Sequence, residues 1–85
     1  MKRFVCAVRD TAAQLFGSPI FVAAVAQAQR SFVDEVNGKA QESQMAGHPE
    51  DFELWVLSIF DDESGVFEDG KELPRLVCRG TDVRR

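Results

Sequence analysis

The sequence predicts a small α+β domain in which a single helix packs on an antiparallel β-sheet. Strand-like segments lie near both ends of the chain, one segment between them has helical periodicity, and glycine, proline and acidic turn residues separate these elements. Its 85 residues predict one small domain spanning residues 1–85. Within it, we expect residues 81–85 to form a frayed tail.

The first third of the chain predicts two strands separated by a loop. The segment RFVCAVRD places Phe4, Cys6 and Val8 on one parity, which is typical of a strand. DTAAQLFGSP then combines glycine with proline and predicts a loop. PIFV is a short extended segment, and its proline restricts it to a sheet edge or the start of a strand.

A helix is predicted over residues 23–37. Its apolar positions are spaced by three, four and four residues, which puts them on one face of a helix. These positions are Val25, Ala28, Phe32 and Val36. Asn37-Gly38 ends the helix, because glycine readily adopts the left-handed conformation that follows a helix cap.

The second half of the chain predicts a hairpin and a last strand. Residues 39–49, KAQESQMAGHP, are expected to form a mobile connection. LWVLSIF and GVFED flank the turn sequence DDESG and should form a hairpin. LPRLVCRG is predicted to be the final strand of the sheet.

The strand beginning at Phe52 is apolar on both parities, which a single covering helix does not explain. Alternation predicts that Trp55, Leu57 and Ile59 share the face that the helix leaves open. We therefore expect this face to be a homodimer interface, since large apolar patches on small proteins tend to mark interactions. The alternative is that residues 10–18 or the C-terminal segment fold over the same face and give a monomer.

Charge is unevenly distributed along the chain. Residues 1–39 carry +2, residues 40–74 carry −9 and residues 75–85 carry +3, for a net charge of −4. Such blocks occur in proteins that bind polyanions, and they equally occur where a solvated acidic segment faces basic ends. Composition leaves both interpretations open.

Enzymatic, metal and cofactor functions have little support. His48 precedes two acidic residues, but no serine or cysteine nucleophile is placed near it by a motif, so a turn is the better interpretation. DDESG lacks the spacing of a calcium loop, and the glycines form no phosphate-binding motif. Cys6 and Cys78 are expected to be reduced and buried. We expect a cytoplasmic protein without a membrane span, a cofactor or a metal.

Aromatic and basic residues together suggest a nucleic-acid-binding surface. Single strands are bound by stacking on aromatic side chains and by cations along the phosphate backbone. The candidate binding residues are Arg3, Arg9, Arg30, Arg75, Arg79 and Trp55. Two observations oppose this hypothesis: a small core needs its phenylalanines anyway, and the pI of about 4.8 is acidic for such a function.

Two linked sequence blocks resemble a known family. The helix block contains Ala28, Arg30, Phe32, Asp34, Val36 and Asn37, and the second block contains His48, Pro49, Glu50, Asp51, Phe60, Asp61 and Gly65. Together with AVRD and SPIFV, over roughly residues 3–67, they resemble the small nonstructural protein of the gokushovirus branch of the Microviridae, which are single-stranded DNA phages. The resemblance implies a DNA-binding protein with a part in genome replication or packaging, acting in the host cytoplasm. The alternative is a non-enzymatic interaction module that recruits or restrains a host or phage replication or capsid component.

Overall fold

A computed structural model describes residues 1–38 and 43–85, and it confirms the predicted α+β fold. Six strands are present in these two ranges: β1 (Lys2–Asp10), β2 (Leu15–Phe16), β3 (Ile20–Val22), β4 (Phe52–Asp61), β5 (Val66–Glu68) and β6 (Arg75–Arg79). The helices are α1 (Val25–Val36), α2 (Gln44–Gly47) and α3 (Gly80–Val83), with a 3-10 turn at Pro49–Asp51. The chain therefore places one long helix and several short helical turns around a single sheet.

The two long strands, β1 and β4, form the centre of an antiparallel sheet. Strands β2 and β3 both pair with β1 on its outer side, one after the other along its length. Strands β5 and β6 pair in the same way with β4. The predicted β4–β5 hairpin and the edge position of the PIFV segment are both confirmed.

Helix α1 covers one face of the sheet through the residues that its periodicity predicts. Ala28, Phe32 and Val36 are buried, and Val25 packs against them at the N-terminal end. The sheet contributes Cys6, Leu54, Val56 and Cys78 to the same core. Gly38 has a φ of +64° directly after the helix, which confirms the predicted stop.

The C-terminal residues are docked rather than frayed, which corrects the prediction for residues 81–85. Val83 packs against the core, and the Asn37 side chain donates a hydrogen bond to the Val83 carbonyl at 3.0 Å. The Asn37 side-chain oxygen also accepts a hydrogen bond from the backbone N–H of Arg85 at 2.6 Å. These partners lie more than 40 residues away in the chain, so local composition gives no sign of them.

The predicted connection over residues 39–49 is partly a helix. Residues 39–42 lie outside the described part of the chain. Ser43 caps α2 by accepting a hydrogen bond from the Met45 N–H at 3.2 Å, and Met45 packs against the core. The segment from residue 43 onwards therefore belongs to the packed layer, because one methionine anchors it beside α1.

A β-bulge in β4 overturns the prediction that Trp55, Leu57 and Ile59 share one face. Val56 pairs with Cys6 and Ser58 pairs with Val5, so Leu57 has no partner in β1. Side-chain direction changes parity at an extra residue. Ile59 consequently pairs with Phe4 on the side of the helix, whereas Trp55 pairs with Ala7 on the opposite side.

Cys6 and Cys78 are both buried free thiols, as predicted. Burial raises the pKa of each thiol above its usual value. None of the helices in residues 1–38 and 43–85 combines the length and the apolar composition that a membrane span requires.

Candidate nucleic-acid interface

The sheet face opposite α1 consists of four cross-strand rows, which we call the open face. The first row runs Phe16, Arg9, Glu53, Arg79 and the second runs Ala7, Trp55, Leu76. The third runs Phe21, Val5, Ser58 and the fourth runs Arg3, Phe60, Phe67. Paired residues in neighbouring strands point to the same side of a sheet. Register alone therefore brings five aromatic rings and three arginines onto one surface.

The rings of the open face remain accessible to solvent. Phe16 is 39% exposed, Phe21 45% and Phe67 56%, although each is a large apolar side chain. Trp55 and Phe60 are half-buried between them. Exposed contiguous apolar surface on a small protein marks a site of interaction.

One group of side chains, the Trp55 cluster, lies at the end of the open face nearest β2. The rings of Phe16 and Trp55 meet edge to face with centroids 6.0 Å apart. The Arg9 guanidinium lies over the Phe16 ring, 5.1 Å from its centroid. Glu53 and Arg79 complete this cluster, in the same row as Phe16 and Arg9.

Glu53 holds two members of the Trp55 cluster at once. The indole N–H of Trp55 donates a hydrogen bond to Glu53 Oε1 at 3.1 Å, and Arg79 Nε lies 3.4 Å from Glu53 Oε2. The Glu53 side chain is only 15% exposed. It therefore fixes the orientation of the indole and neutralises the neighbouring guanidinium.

The second group, the Phe67 cluster, lies at the other end of the open face and consists of Phe21, Phe60 and Phe67. Its ring centroids are 4.8 to 6.2 Å apart, and no two of these rings are parallel. Arg3 lies in the same row, and its Nε is 3.2 Å from Asp62 Oδ2. Both ends of the open face thus combine rings with an arginine that has a carboxylate partner.

The structure brings together four of the six predicted binding residues. Trp55, Arg3, Arg9 and Arg79 lie on the open face. Arg75 pairs with Val56 on the helix side, beside Phe4 and Ile59. Arg30 is exposed on the outer surface of α1. These two arginines therefore do not extend the surface around Trp55.

Phe16 and Glu53 belong to the open face, although neither was among the candidate residues predicted from the sequence. Phe16 lies in the segment predicted to be a loop, where Asp10 accepts hydrogen bonds from the N–H groups of Ala12 and Ala13 and turns the chain back. The resulting two-residue strand β2 lays Phe16 against Trp55. The sequence pattern that could have indicated β2 is Asp10 at the end of β1, followed by the apolar pair Leu15 and Phe16.

A second cluster of polar side chains lies near the 3-10 turn, away from the open face. Ligand atoms of His48, Glu50 and Asp51 all lie within 4.8 Å of one another, and His48 and Glu50 are exposed. His48 Nδ1 is 3.7 Å from Glu50 Oε1. This contact lies at the protein surface beside Pro49, as expected for side chains at a turn.

Nearly the whole length of the chain matches one family of proteins. Residues 3–83 match the family described as Phage ORF5 protein. The chain is a phage ORF5 family protein. Comparisons with curated proteins and with solved structures gave no match. The family match covers every strand except the first residue of β1, and it includes all of the open face.

Proposed function

We propose that this phage ORF5 family protein is non-enzymatic and binds single-stranded DNA through the open face. The observation that carries the proposal is the co-location of five rings and three arginines on a sheet face that α1 does not cover. Unpaired bases stack on exposed aromatic rings, and each stacked base contributes about 1 to 3 kcal/mol. Guanidinium groups beside the rings bind the phosphates that connect the bases.

Single-stranded nucleic acid fits this surface better than duplex. The rings expose edges and faces on a sheet, whereas readout of a duplex groove usually needs a protruding helix or ribbon. Stacking on rings requires bases that are not paired and stacked within a duplex. The same chemistry agrees with the resemblance to gokushoviruses, whose genomes are single-stranded, and with a part in replication or packaging in the host cytoplasm.

Carboxylates reduce the positive potential of the open face. Arg79 is paired with Glu53 and Arg3 with Asp62, while Arg9 lies over a ring. Phosphates must compete with these carboxylates for the guanidinium groups. We therefore expect moderate affinity that depends more on stacking than on charge.

A titration with labelled oligothymidylate tests the proposal. The Arg9→Gln variant removes a cation from the open face, and Arg30→Gln removes the same charge from the outer surface of α1. We expect Arg9→Gln to weaken binding and to make the salt dependence shallower by about 0.7 in log–log slope. Arg30→Gln should bind like the wild type. Absence of binding by the wild type at micromolar concentration and low salt would refute the proposal.

The second candidate is a protein-interaction module that uses the same face, either as a homodimer or with a host or phage replication or capsid component. The exposed rings of Phe16, Phe21 and Phe67 favour it, since a partner that buries them gains apolar contact. Sedimentation equilibrium of the wild type and of Trp55→Glu tests the homodimer. A wild-type dimer that becomes a folded monomer on substitution supports this candidate, and a wild-type monomer at all micromolar concentrations excludes the homodimer.

A further inference from the structure

We infer that the open face contains two separate stacking subsites, the Trp55 cluster and the Phe67 cluster, which one DNA strand bridges. This inference rests on the proposed function and goes further, because it specifies the length of strand that the protein recognises. It follows from how the rings group and from where they lie along the central strands.

The ring contacts of the open face fall into two groups, Phe16 with Trp55 and Phe21 with Phe60 and Phe67. Trp55 lies in the row of Ala7 and Phe60 lies in the row of Arg3, with the row of Phe21, Val5 and Ser58 between them. Val5 and Ala7 are only 4% and 2% exposed, yet they do not belong to the core under α1. Side chains of the open face therefore cover both residues, and a bound strand contacts the rings above them.

The separation of the clusters sets the length of strand that bridges them. The rows of Trp55 and Phe60 are four residue steps apart in β1, which corresponds to about 13 Å at the usual rise of a strand. Stacked nucleotides advance about 3.4 Å each, so at most about five nucleotides connect the two subsites. A more extended strand needs fewer.

The charges of the two clusters favour the same arrangement. Arg9 lies at the Trp55 cluster and Arg3 lies in the row of the Phe67 cluster, at opposite ends of β1. A strand that stacks one base at each end brings a phosphate near each arginine. The nucleotides between the two stacked bases cross the row of Phe21 and Ser58.

Two connected subsites make the affinity depend on oligonucleotide length in a characteristic way. A dinucleotide occupies one subsite only, whereas a longer strand occupies both, and its second contact forms at high effective concentration. We expect affinity to rise roughly 5- to 150-fold between a thymidine dinucleotide and a pentanucleotide, which is the contribution of one more stacked base. Beyond the pentanucleotide, affinity should change little.

Calorimetric titration of a thymidine length series with the full chain and two leucine variants tests the inference. Phe16→Leu and Phe67→Leu each remove one exposed ring while keeping an apolar side chain. In each variant, affinity should no longer increase between the dinucleotide and the pentanucleotide. Each variant should still bind the dinucleotide, because the other cluster is intact. Leu15→Ala and Val66→Ala are matched controls, since each is an exposed neighbour in the same strand and pairs with a row of the opposite face.

The possible results separate the inference from the proposed function. If the wild type binds no oligonucleotide of any length, the proposed function fails and the subsites fail with it. If the wild type binds but affinity increases steadily with length, or if the leucine variants keep the full rise, DNA binding stands and the two-subsite arrangement is refuted. A far-UV circular dichroism spectrum of each variant confirms that it is folded.

Discussion

Replacing Glu53 by glutamine is expected to strengthen DNA binding. Glu53 lies between Arg9 and Arg79 in the row that crosses β1, β4 and β6. Its carboxylate accepts the Trp55 indole N–H and pairs with Arg79. Glutamine keeps an oxygen that accepts the indole hydrogen bond, but it removes the negative charge. Arg79 then becomes available to a phosphate while Trp55 keeps its orientation.

The size of the effect follows from the number of guanidinium groups released. Glu53→Gln frees one paired arginine, Arg79, and each phosphate neutralised on a single strand contributes about 0.7 to the log–log salt slope. The slope should therefore steepen by about 0.7. Between 50 mM and 200 mM salt this corresponds to about a 2.5-fold larger loss of affinity than in the wild type. At the lower salt concentration the variant should bind more tightly than the wild type, and this advantage should shrink by about 2.5-fold at 200 mM.

Fluorescence of Trp55 gives a direct assay, since it is the only tryptophan in the sequence. Quenching on titration with oligothymidylate reports binding at the Trp55 cluster. Glu68→Gln is the matched control: it removes one negative charge, but Glu68 pairs with Lys2 and lies in the row of Ile59, on the helix side. Weaker binding by Glu53→Gln, or an unchanged salt slope, would show that Arg79 does not contact phosphate.

Three further predictions concern stability. Phe32→Ala should cost about 3 to 5 kcal/mol in urea denaturation, since Phe32 is 2% exposed under the sheet, and a loss below about 1 kcal/mol would contradict the core described above. Gly80→Ala should destabilise the fold by about 1 to 3 kcal/mol, because the added methyl group would overlap the Pro49 carbonyl oxygen. Gly47→Ala is the control, because Gly47 has open space around it, and this variant should be neutral or slightly stabilising. Equal effects of the two substitutions would refute the close contact at Gly80. The backbone N–H of Glu63 donates a hydrogen bond to the Asp61 carboxylate, which lowers the pKa of Asp61 below 3.8. The stability that ionised Asp61 contributes is therefore present above pH 3.8 and is lost as the pH falls through the lower pKa of the folded state. The difference in urea midpoint between the wild type and Asp61→Ala should therefore shrink in acid, and a constant difference would contradict this assignment.

Helix α1 was predictable because its pattern is local and regular. The spacing of Ala28, Phe32 and Val36 requires only that one face of a helix be buried, and each of these residues is buried. The strands were predictable for the same reason, since their apolar segments are bounded by turn residues. The fold class follows from these local patterns alone.

The composition of the open face was less predictable, because it depends on pairing between distant strands. One unpaired residue, Leu57, moves Ile59 to the helix side and leaves Phe60 on the side of Trp55. No residue type in FELWVLSIFD marks that bulge, since leucine is common in regular strands. Phe16 was missed for a related reason: a strand of two residues has no periodicity, and only its pairing with Arg9 places it at the site.

Under the proposed function, the open face would let a chain of net charge −4 bind a polyanion. Of the six predicted binding residues, three arginines lie on this face, and two of them already have carboxylate partners. A surface of this kind cannot rely on release of many counterions, which dominates binding by strongly basic proteins. Stacking has no such requirement, because every base presents a face to an exposed ring whatever the net charge of the protein. The carboxylates of Glu53 and Asp62 then act as competitors that a phosphate displaces only when bases are stacked beside it, so unstacked polyanions of equal charge should bind less well than a single strand of DNA.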